Sequence, residues 1–221
     1  MISRNVDKIR QTIDLTRVML VAASKTQPPE LIRQAASSGL VLFGENRVQE
    51  AAEKIGALCD LPIQWHLIGH LQTNKVKQAV ALFSMIQSVD SLKLAAEINR
   101  HAYDIGKIQD VLLQVNVSGE DSKFGIATQL VADIAKNINV FSNIRLCGLM
   151  TIAPFYDQPE NARPVFRATK DLFNQLQIQF AHQVHFRWLS MGMTHDYQVA
   201  VQEGSNMVRI GTGIFGARDS R

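Results

Sequence analysis

A lysine at the end of an apolar run is the first feature of the sequence that could carry chemistry. The run reads Val18-Met-Leu-Val-Ala-Ala-Ser-Lys-Thr26 and is followed by Pro28 and Pro29. A short apolar run of this kind favours a strand buried on both faces, and the prolines favour the start of a helix. Lys25 would then lie at the carboxyl end of the strand, where a lysine at an apolar barrel mouth can lose its proton and attack a carbonyl carbon. Taken alone, the stretch also fits a solvated lysine in a βα loop.

Two glycine-rich stretches near the end of the sequence could bind an anion. They read Ser190-Met-Gly-Met-Thr194 and Arg209-Ile-Gly-Thr-Gly-Ile-Phe-Gly216. Glycines let backbone N–H groups approach an anion closely, and a helix that starts near Thr194 would add a partial positive charge. The alternative is that these glycines only form tight turns. We predict a phosphate site in these two loops, held by Ser190, Gly192, Gly211 and Thr212.

The lysine and the phosphate site together indicate a phosphorylated carbonyl compound. A Schiff base on Lys25, with the phosphate held by the two glycine-rich loops, accounts for both features. Pyridoxal phosphate meets every requirement of such a site. A sugar phosphate bound by an aldolase-like enzyme would meet most of them.

The elements that must position these residues form a regular alternation of strands and helices. The predicted strands cover residues 18–24, 40–43, 63–68, 83–89, 111–117, 144–150, 185–190 and 207–210. Alternation of this kind predicts parallel strands joined by crossover helices, and eight of them predict a closed (β/α)₈ barrel. The active site of such a barrel lies at the carboxyl ends of the strands, which is where Lys25 and both loops fall.

One helix is missing from the predicted outer ring. No helix is expected after the eighth strand, whereas residues 3–16 form an extra helix before the first strand. We therefore expect this amino-terminal helix to take the place of the missing one. No repeat, low-complexity tract or linker is visible, so residues 1–221 are assigned to one domain.

Composition excludes several classes of protein. The 221 residues are 46% hydrophobic and 19% charged, with a net charge of +3 and no dense Lys/Arg run that would indicate nucleic-acid binding. No apolar stretch reaches the roughly 18 residues of a membrane span, and the amino terminus has no signal-peptide pattern. Cys59 and Cys147 are far apart and are interpreted as reduced thiols. These features predict a cytoplasmic protein.

Two neighbouring histidines could suggest a metal site, but their spacing argues against one. His66 and His70 fall on and just after a strand, where four residues span roughly 13 Å, too far to share an ion at about 2 Å. We expect no metal site, and His70 could line the barrel mouth. The remaining histidines, including His182 and His195, are interpreted as surface or packing residues. Lys123 is expected to be a solvated loop lysine, although it could contact an anion at the mouth.

The sequence resembles the family of pyridoxal-phosphate homeostasis proteins over nearly its whole length. The resemblance depends on Val21-Ala-Ala-Ser-Lys-Thr26, Phe43-Gly-Glu-Asn-Arg-Val-Gln-Glu50, Trp65-His-Leu-Ile-Gly-His-Leu-Gln72 with Asn74-Lys75, Gly148-Leu-Met150, Leu189-Ser-Met-Gly-Met193 and Arg209-Ile-Gly-Thr-Gly-Ile-Phe-Gly216. It implies a fold-type III barrel similar to the amino-terminal domain of alanine racemase. Pyridoxal 5'-phosphate would be bound to Lys25, with its phosphate at Ser190, Gly192, Gly211 and Thr212. Asn46 would lie near the cofactor ring, and Arg209 would face the pyridine nitrogen.

The resemblance also implies a function without catalytic turnover. A protein of this family would buffer or supply pyridoxal phosphate, with apo forms of enzymes that need the cofactor as possible recipients, and we expect a monomer. An arginine at the pyridine nitrogen would disfavour protonation of the ring and weaken its ability to stabilise a carbanion.

The rival hypothesis is an amino-acid racemase. That reaction needs an acid or base on each face of the ring, and in alanine racemase the second one is a tyrosine from a partner chain's carboxyl-terminal domain. The sequence stops at Arg221 without such a domain, and Tyr156 is the one tyrosine expected on the correct face of the barrel.

Overall fold

The chain folds into a closed barrel of eight parallel strands in the computed structural model, which describes residues 1–120, 124–180 and 184–217. The predictions for Lys123 and His182 lie outside these residues. The barrel strands are β1 Met19–Ala23, β2 Leu42–Glu45, β3 Gln64–Leu67, β4 Met85–Val89, β5 Gln109–Asn116, β7 Ile144–Thr151, β8 Trp188–Met193 and β9 Met207–Ile210, and a two-residue strand β6 Ile126–Ala127 pairs with β5. Around the barrel they follow the order β4-β3-β2-β1-β9-β8-β7-β5, and pairing of β4 with β5 closes the ring. The predicted (β/α)₈ barrel is confirmed.

Helices cover the outside of the barrel. They are α1 Ile2–Thr12, α2 Pro29–Ser37, α3 Val48–Ala57, α4 Val76–Leu82, α5 Leu92–Asp104, α6 Val131–Ile138, α7 Arg163–Gln179, α8 Tyr197–Gln202 and α9 Thr212–Phe215. Short 3₁₀ turns precede three of them, at Thr73–Lys75, Thr128–Leu130 and Pro159–Ala162. Within the described ranges, no helix is both long and apolar enough to cross a membrane.

The seventh barrel strand, β8, lies three residues further along the chain than predicted. The prediction of residues 185–190 was wrong because Gly192 and its neighbours look like a loop, and glycine is uncommon in strands. The observed strand runs from Trp188 to Met193. Ser190 is consequently in the middle of a strand, rather than at its end.

The last strand is followed by one turn of helix, α9, which the sequence did not predict. The amino-terminal helix is shorter than predicted, since Asp14 accepts hydrogen bonds from the backbone and side chain of Thr16 and so turns the chain after Thr12. Helix α1 buries Ile2, Val6 and Ile9. It packs against α9, where Asn5 Nδ2 donates to the carbonyl oxygen of Ile214 at 3.0 Å. The amino-terminal helix therefore takes the place of a full helix after the last strand, as expected.

Apolar side chains form two layers because successive strand residues point to opposite faces. The outer layer lies between strands and helices. The inner layer fills the barrel and includes Val21, Leu42, Met85, Leu112 and Met207. Several buried polar residues lie on the same strand faces as the inner layer, among them His66, Gln87, Ser190 and Arg209.

Candidate functional site

A cavity of about 270 Å³ opens at the carboxyl ends of the barrel strands. It is lined by Ala23, Lys25, Asn46, Ile68, Ile152, Met193, Thr194, His195, Arg209, Gly211 and Thr212. A larger surface depression of about 720 Å³ involves the outer helices α1 and α2 and contains none of the strand-end residues. Because the active sites of such barrels lie at the carboxyl ends of the strands, the smaller cavity is the candidate site.

Five of the seven predicted site residues line this cavity: Lys25, Asn46, Arg209, Gly211 and Thr212. Lys25 follows β1 and is partly buried, and Asn46 follows β2. Strands β1 and β9 are neighbours in the barrel, so Lys25 and the loop after Arg209 come from adjacent strands. The sequence prediction that one ligand could contact both regions agrees with this arrangement.

The backbone around Lys25 is fixed by a buried ionic cluster on its outer side. Lys54 of α3 donates to the carbonyl oxygen of Ser24 at 2.7 Å, to Glu45 Oε1 at 2.8 Å and to Glu50 Oε1 at 2.6 Å. Glu50 Oε1 also accepts from the backbone N–H of Thr26. Both neighbours of Lys25 are thereby tied to α3.

Thr26 has a left-handed backbone conformation, with a φ of +63°. A β-branched residue in this region is strained, at a cost on the order of 1–3 kcal/mol. The hydrogen bond from its N–H to Glu50 helps to hold the conformation. Thr26 directly follows Lys25, so this conformation turns the chain immediately after the lysine that lines the cavity.

The pKa values of the two carboxyl groups in this cluster are shifted in opposite directions by burial and hydrogen bonds. Burial raises the pKa of Glu45, and hydrogen bonds from Lys54 and Ser24 only partly offset it. Burial also acts to raise the pKa of Glu50, but hydrogen bonds from Lys54 and from the Thr26 backbone lower it overall. The cluster was not recognised in the sequence, although Glu50 and Lys54 have the i, i+4 spacing of a helical ion pair.

Arg209 lies at the base of the cavity and is 3% exposed. Its Nη1 donates to Ser190 Oγ at 2.6 Å, and its Nη2 donates to the carbonyl oxygen of Thr151 at 2.8 Å. Burial lowers the pKa of the guanidinium to about 10, while the charge of Asp196 opposes this shift. Arg209 therefore remains a positively charged donor at neutral pH.

Ser190 and Gly192 do not line the cavity. Ser190 is fully buried inside the barrel, where its hydroxyl contacts Arg209 and Gln87. Gly192 has a φ of +92°, and a Cβ atom there would lie 2.6 Å from Ala200 Cβ and 2.9 Å from Tyr197 Cα. The structure thus provides a packing reason for this glycine, because only a residue without a side chain lets α8 approach β8 so closely.

Gly211 and Thr212 form the part of the predicted phosphate site that reaches the cavity. They begin the single turn of α9, where the first backbone N–H groups have no partner within the helix. A Cβ atom on Gly211 would lie 3.2 Å from the carbonyl oxygen of Ala23, so a side chain here would crowd the edge of β1. Thr194 faces the same turn, with its Oγ1 accepting from the N–H of Gly213 at 3.2 Å.

His195 lines the mouth of the cavity, although its position in the sequence favoured a surface or packing residue. Its Nε2 lies 3.0 Å from the carbonyl oxygen of Tyr156, and its ring lies 5.2 Å from the ring of Phe155. His70 is near a different opening, where it stacks on Phe124 at 4.0 Å and its Nδ1 lies 3.2 Å from Asp90. No sequence signal separates these two histidines, because loop geometry alone decides which of them faces the site.

The charge of the cavity favours an anionic ligand. Lys25 and Arg209 contribute cationic groups, and none of the described lining residues is acidic. Ile68, Ile152 and Met193 contribute apolar walls. The volume is near the lower end of the roughly 300–1,000 Å³ typical of small-molecule sites, which suits a small anionic compound with an apolar ring.

Comparison with known proteins identifies the family to which this chain belongs. The family model described as "Alanine racemase, N-terminal domain" matches residues 1–219. A pyridoxal phosphate homeostasis protein of Aquifex aeolicus is 45% identical over 90% of this chain and 86% of its own length. The corresponding protein of Pasteurella multocida is 42% identical over 99% of this chain and 98% of its own length.

Solved structures agree with the sequence comparison. The structure of PipY from Synechococcus elongatus with pyridoxal phosphate bound has a TM-score of 0.91 and 36% identity, and the match covers 98% of this chain and all of PipY. Alanine racemase of Clostridium difficile has a TM-score of 0.79 at 14% identity, and the match covers 99% of this chain but 60% of the racemase. The second likeness concerns the fold alone. The chain belongs to the alanine racemase amino-terminal domain family and, within it, to the pyridoxal phosphate homeostasis proteins.

Proposed function

We propose that this protein binds pyridoxal 5'-phosphate in the cavity at the carboxyl end of the barrel and takes part in its intracellular buffering or supply. The observation that carries the proposal is one small cavity that brings together the Lys25 amine, the Arg209 guanidinium and the first turn of α9, with no acidic lining residue among those described. Family membership and the pyridoxal phosphate bound to PipY support the same conclusion.

The residues present fit each part of this cofactor. The aldehyde of pyridoxal phosphate condenses with a primary amine with loss of water, and this is the chemistry that the group supplies when it is bound. Lys25 provides the amine at the end of β1. Backbone N–H groups at Gly211 and Thr212, with Thr194 beside them, suit a phosphate. Arg209 at the cavity base suits the ring nitrogen as a charged donor, and Asn46 lines the wall.

For Ser190 and Gly192 we propose roles other than the phosphate binding that the sequence predicted, because neither residue lines the cavity. We assign Ser190 to the support of Arg209, because the two side chains are 2.6 Å apart inside the barrel. We assign Gly192 to the packing of α8, which starts just after Thr194 and His195. Both residues would influence the cofactor through the position of cavity-lining groups.

We further propose that the protein acts without catalytic turnover and passes the cofactor to apo enzymes that require it. The position of the cavity at the mouth of the barrel suits release, and the relatives are named for homeostasis rather than for a reaction. The cysteines Cys59 and Cys147 are both free thiols, which suits the reducing cytoplasm. A monomer is the proposed state.

Trapping of the cofactor on the lysine tests the proposal directly. The protein is incubated with pyridoxal phosphate, reduced with borohydride and digested, and the peptides are analysed by mass spectrometry. We expect the pyridoxyl group on the peptide that contains Lys25. Lys25→Ala should abolish both this adduct and the visible absorbance of the bound cofactor.

The exposed Lys77 on α4 provides the matched control. Lys77→Ala should leave both the adduct and the absorbance unchanged. An adduct that persists at another lysine in Lys25→Ala would overturn the assignment of Lys25. Selective trapping of a sugar phosphate, with no pyridoxal phosphate adduct, would support an aldolase-like enzyme instead.

A further inference from the structure

Four buried polar residues cross the interior of the barrel below the cavity. They come from four strands: His66 from β3, Gln87 from β4, Ser190 from β8 and Arg209 from β9. Each is at most 4% exposed. Polar groups buried in an apolar interior are costly unless they are hydrogen-bonded, so a connected set of this kind needs an explanation.

The four side chains form one continuous chain of hydrogen bonds, which we call the barrel chain. Arg209 Nη1 donates to Ser190 Oγ at 2.6 Å, and Ser190 Oγ donates to Gln87 Oε1 at 2.7 Å. Gln87 Nε2 then lies 2.9 Å from His66 Nδ1 and 3.2 Å from Met207 Sδ. The barrel chain thus connects the guanidinium at the cavity base with an imidazole on β3, three strands away around the barrel.

The direction of donation in this chain is determined by its arginine end. A guanidinium can only donate, so Ser190 accepts from Arg209 and gives its own proton to Gln87. The amide NH₂ of Gln87 then faces two acceptors, His66 Nδ1 and Met207 Sδ. A flipped amide would place its oxygen against the sulfur and leave the Ser190 proton without an acceptor in the chain. His66 must therefore accept at Nδ1 and carry its proton on Nε2.

Burial supports this neutral imidazole. It lowers the pKa of His66 to about 3, so the ring is uncharged at neutral pH. The barrel chain consequently contains one charge, at Arg209, and no carboxylate; Asp196, which lies outside it, acts on Arg209 only through its charge. The hydrogen bonds that Arg209 donates to Ser190 and Thr151 use two of its five N–H donors and fix its plane from below.

We infer that His66, Gln87 and Ser190 are positioning residues, which hold the Arg209 guanidinium in one orientation toward the cavity without neutralising its charge. The inference rests on the proposed function, because the group that would use this donor is the ring nitrogen of the cofactor. Ser190 acts on the guanidinium directly, and Gln87 and His66 act through Ser190. None of the three needs to touch the cofactor.

Substitutions in the chain should change the electronic environment of the cofactor. Gln87→Leu removes the link between Ser190 and His66, and Ser190→Ala removes the acceptor of Arg209 Nη1 while the contact of Nη2 with Thr151 stays. In both variants we expect a shifted absorbance maximum of the bound cofactor. Ser190→Ala should also weaken binding about tenfold or more, because it removes a buried hydrogen bond to a charged group, whereas Gln87→Leu should weaken binding less, because it acts on Arg209 only through Ser190. Ser88 provides the matched control, because it is equally buried on β4 and its Oγ has no hydrogen-bond partner among the described residues.

Ser88→Ala should therefore leave the absorbance maximum and the affinity unchanged. If the Gln87→Leu and Ser190→Ala variants fold and keep the wild-type absorbance maximum and affinity, the barrel chain only supports the fold of the barrel. The absorbance maximum separates the two roles, since a loss of stability alone does not move it.

A measurement on the cofactor-free wild-type protein tests the chain without any variant. The ¹⁵N chemical shifts of the assigned His66 imidazole should identify a neutral ring with its proton on Nε2 and a hydrogen bond accepted at Nδ1. A proton on Nδ1, or a charged ring at pH 7, would overturn the barrel chain. If the wild-type protein binds no pyridoxal phosphate, the proposed function fails, whereas this NMR result still decides whether the hydrogen bonds of the barrel chain are formed.

Discussion

The ammonium group of Lys54 donates to the carbonyl oxygen of Ser24 at a distance of 2.7 Å, from a helix that lies outside the barrel. This contact ties the residue before Lys25 to α3, and the same ammonium group is paired with Glu45 and Glu50. The amine proposed to bind the cofactor is thus positioned by a second lysine that does not line the cavity. The position of Lys25 depends on an ionic cluster in the layer between strand and helix.

Loss of this cluster should destabilise the fold and displace Lys25. Lys54→Met leaves Glu45, which is fully buried, without its cationic partner, and such a loss costs about 3–5 kcal/mol. We expect a lower free energy of unfolding in urea and slower trapping of pyridoxal phosphate on Lys25. The double variant Lys54→Met/Glu45→Gln should recover part of the stability, because it contains no buried unpaired charge at position 45. Equal stability of the single and double variants would contradict this role of the cluster.

The buried His66 predicts a loss of stability in mild acid. Its pKa is lowered from 6.5 to about 3 by burial, so between these values the unfolded chain binds a proton that the folded chain does not. The free energy of unfolding should therefore have its full value above pH 6.5 and should fall by about 1.4 kcal/mol per pH unit as the pH decreases toward 3. Urea denaturation at pH 7 and pH 5 measures the effect.

The variant His66→Asn isolates this contribution, since an asparagine oxygen can still accept from Gln87 but has no proton to bind. The variant should be less stable at pH 7, yet lose less stability than the wild type between pH 7 and pH 5. The same pH dependence in both proteins would assign the acid sensitivity to other groups.

Gly192→Ala should destabilise the protein more than a backbone effect alone explains. The added Cβ would collide with Ala200 and Tyr197, so we expect a cost of about 2 kcal/mol or more. Gly106 is the control, because it has a φ of +64° and no described atom within 4 Å of an added Cβ. Gly106→Ala should cost only about 1 kcal/mol, as expected for a left-handed residue. Equal costs in thermal or urea unfolding would show that α8 can move away from β8.

The protein loaded with pyridoxal phosphate should not exchange the α-proton of L-amino acids at enzymatic rates. Arg209 stays protonated near neutral pH and cannot act as a base. The described cavity lining contains no tyrosine and no carboxylate that could serve as the second acid or base of a racemase, and His195 is the one other lining side chain to test for that role. The test is incubation in D₂O with the α-proton followed by NMR. Exchange on the order of 1 per second or faster, lost in Lys25→Ala or His195→Gln, would falsify the non-catalytic proposal and favour a racemase.

The barrel was predictable from the sequence because its signals are local and repeated. Each apolar run, such as the one before Lys25, is short and is followed by residues that can start a helix, and eight repetitions leave little choice of topology. Strand boundaries were less certain. Residues 191–193 continue β8 although Gly192 favours a turn, because strand pairing with β9 and packing against α8 outweigh its local preference.

The candidate site was only partly predictable for a related reason. Lys25, Gly211 and Thr212 follow strand ends, where alternation alone places them at the mouth. Ser190 was placed there too because its strand was predicted to end three residues early. The contacts between Lys54 and Ser24, and between Ser190 and Gln87, join residues that are 30 and 103 positions apart, and no local pattern indicates such pairs.

The contact between α1 and α9 has a consequence for synthesis of the chain. Asn5 and Ile214 are 209 positions apart, and β1 pairs with β9 in the same region. At translation rates of about 5–20 residues per second, α9 leaves the ribosome roughly 10–40 s after α1. During this interval the part of α1 that packs against α9 is not covered by it, although α2 can already contact α1. Pairing of β1 with β9, which closes the ring, is therefore expected late in the folding of the nascent polypeptide.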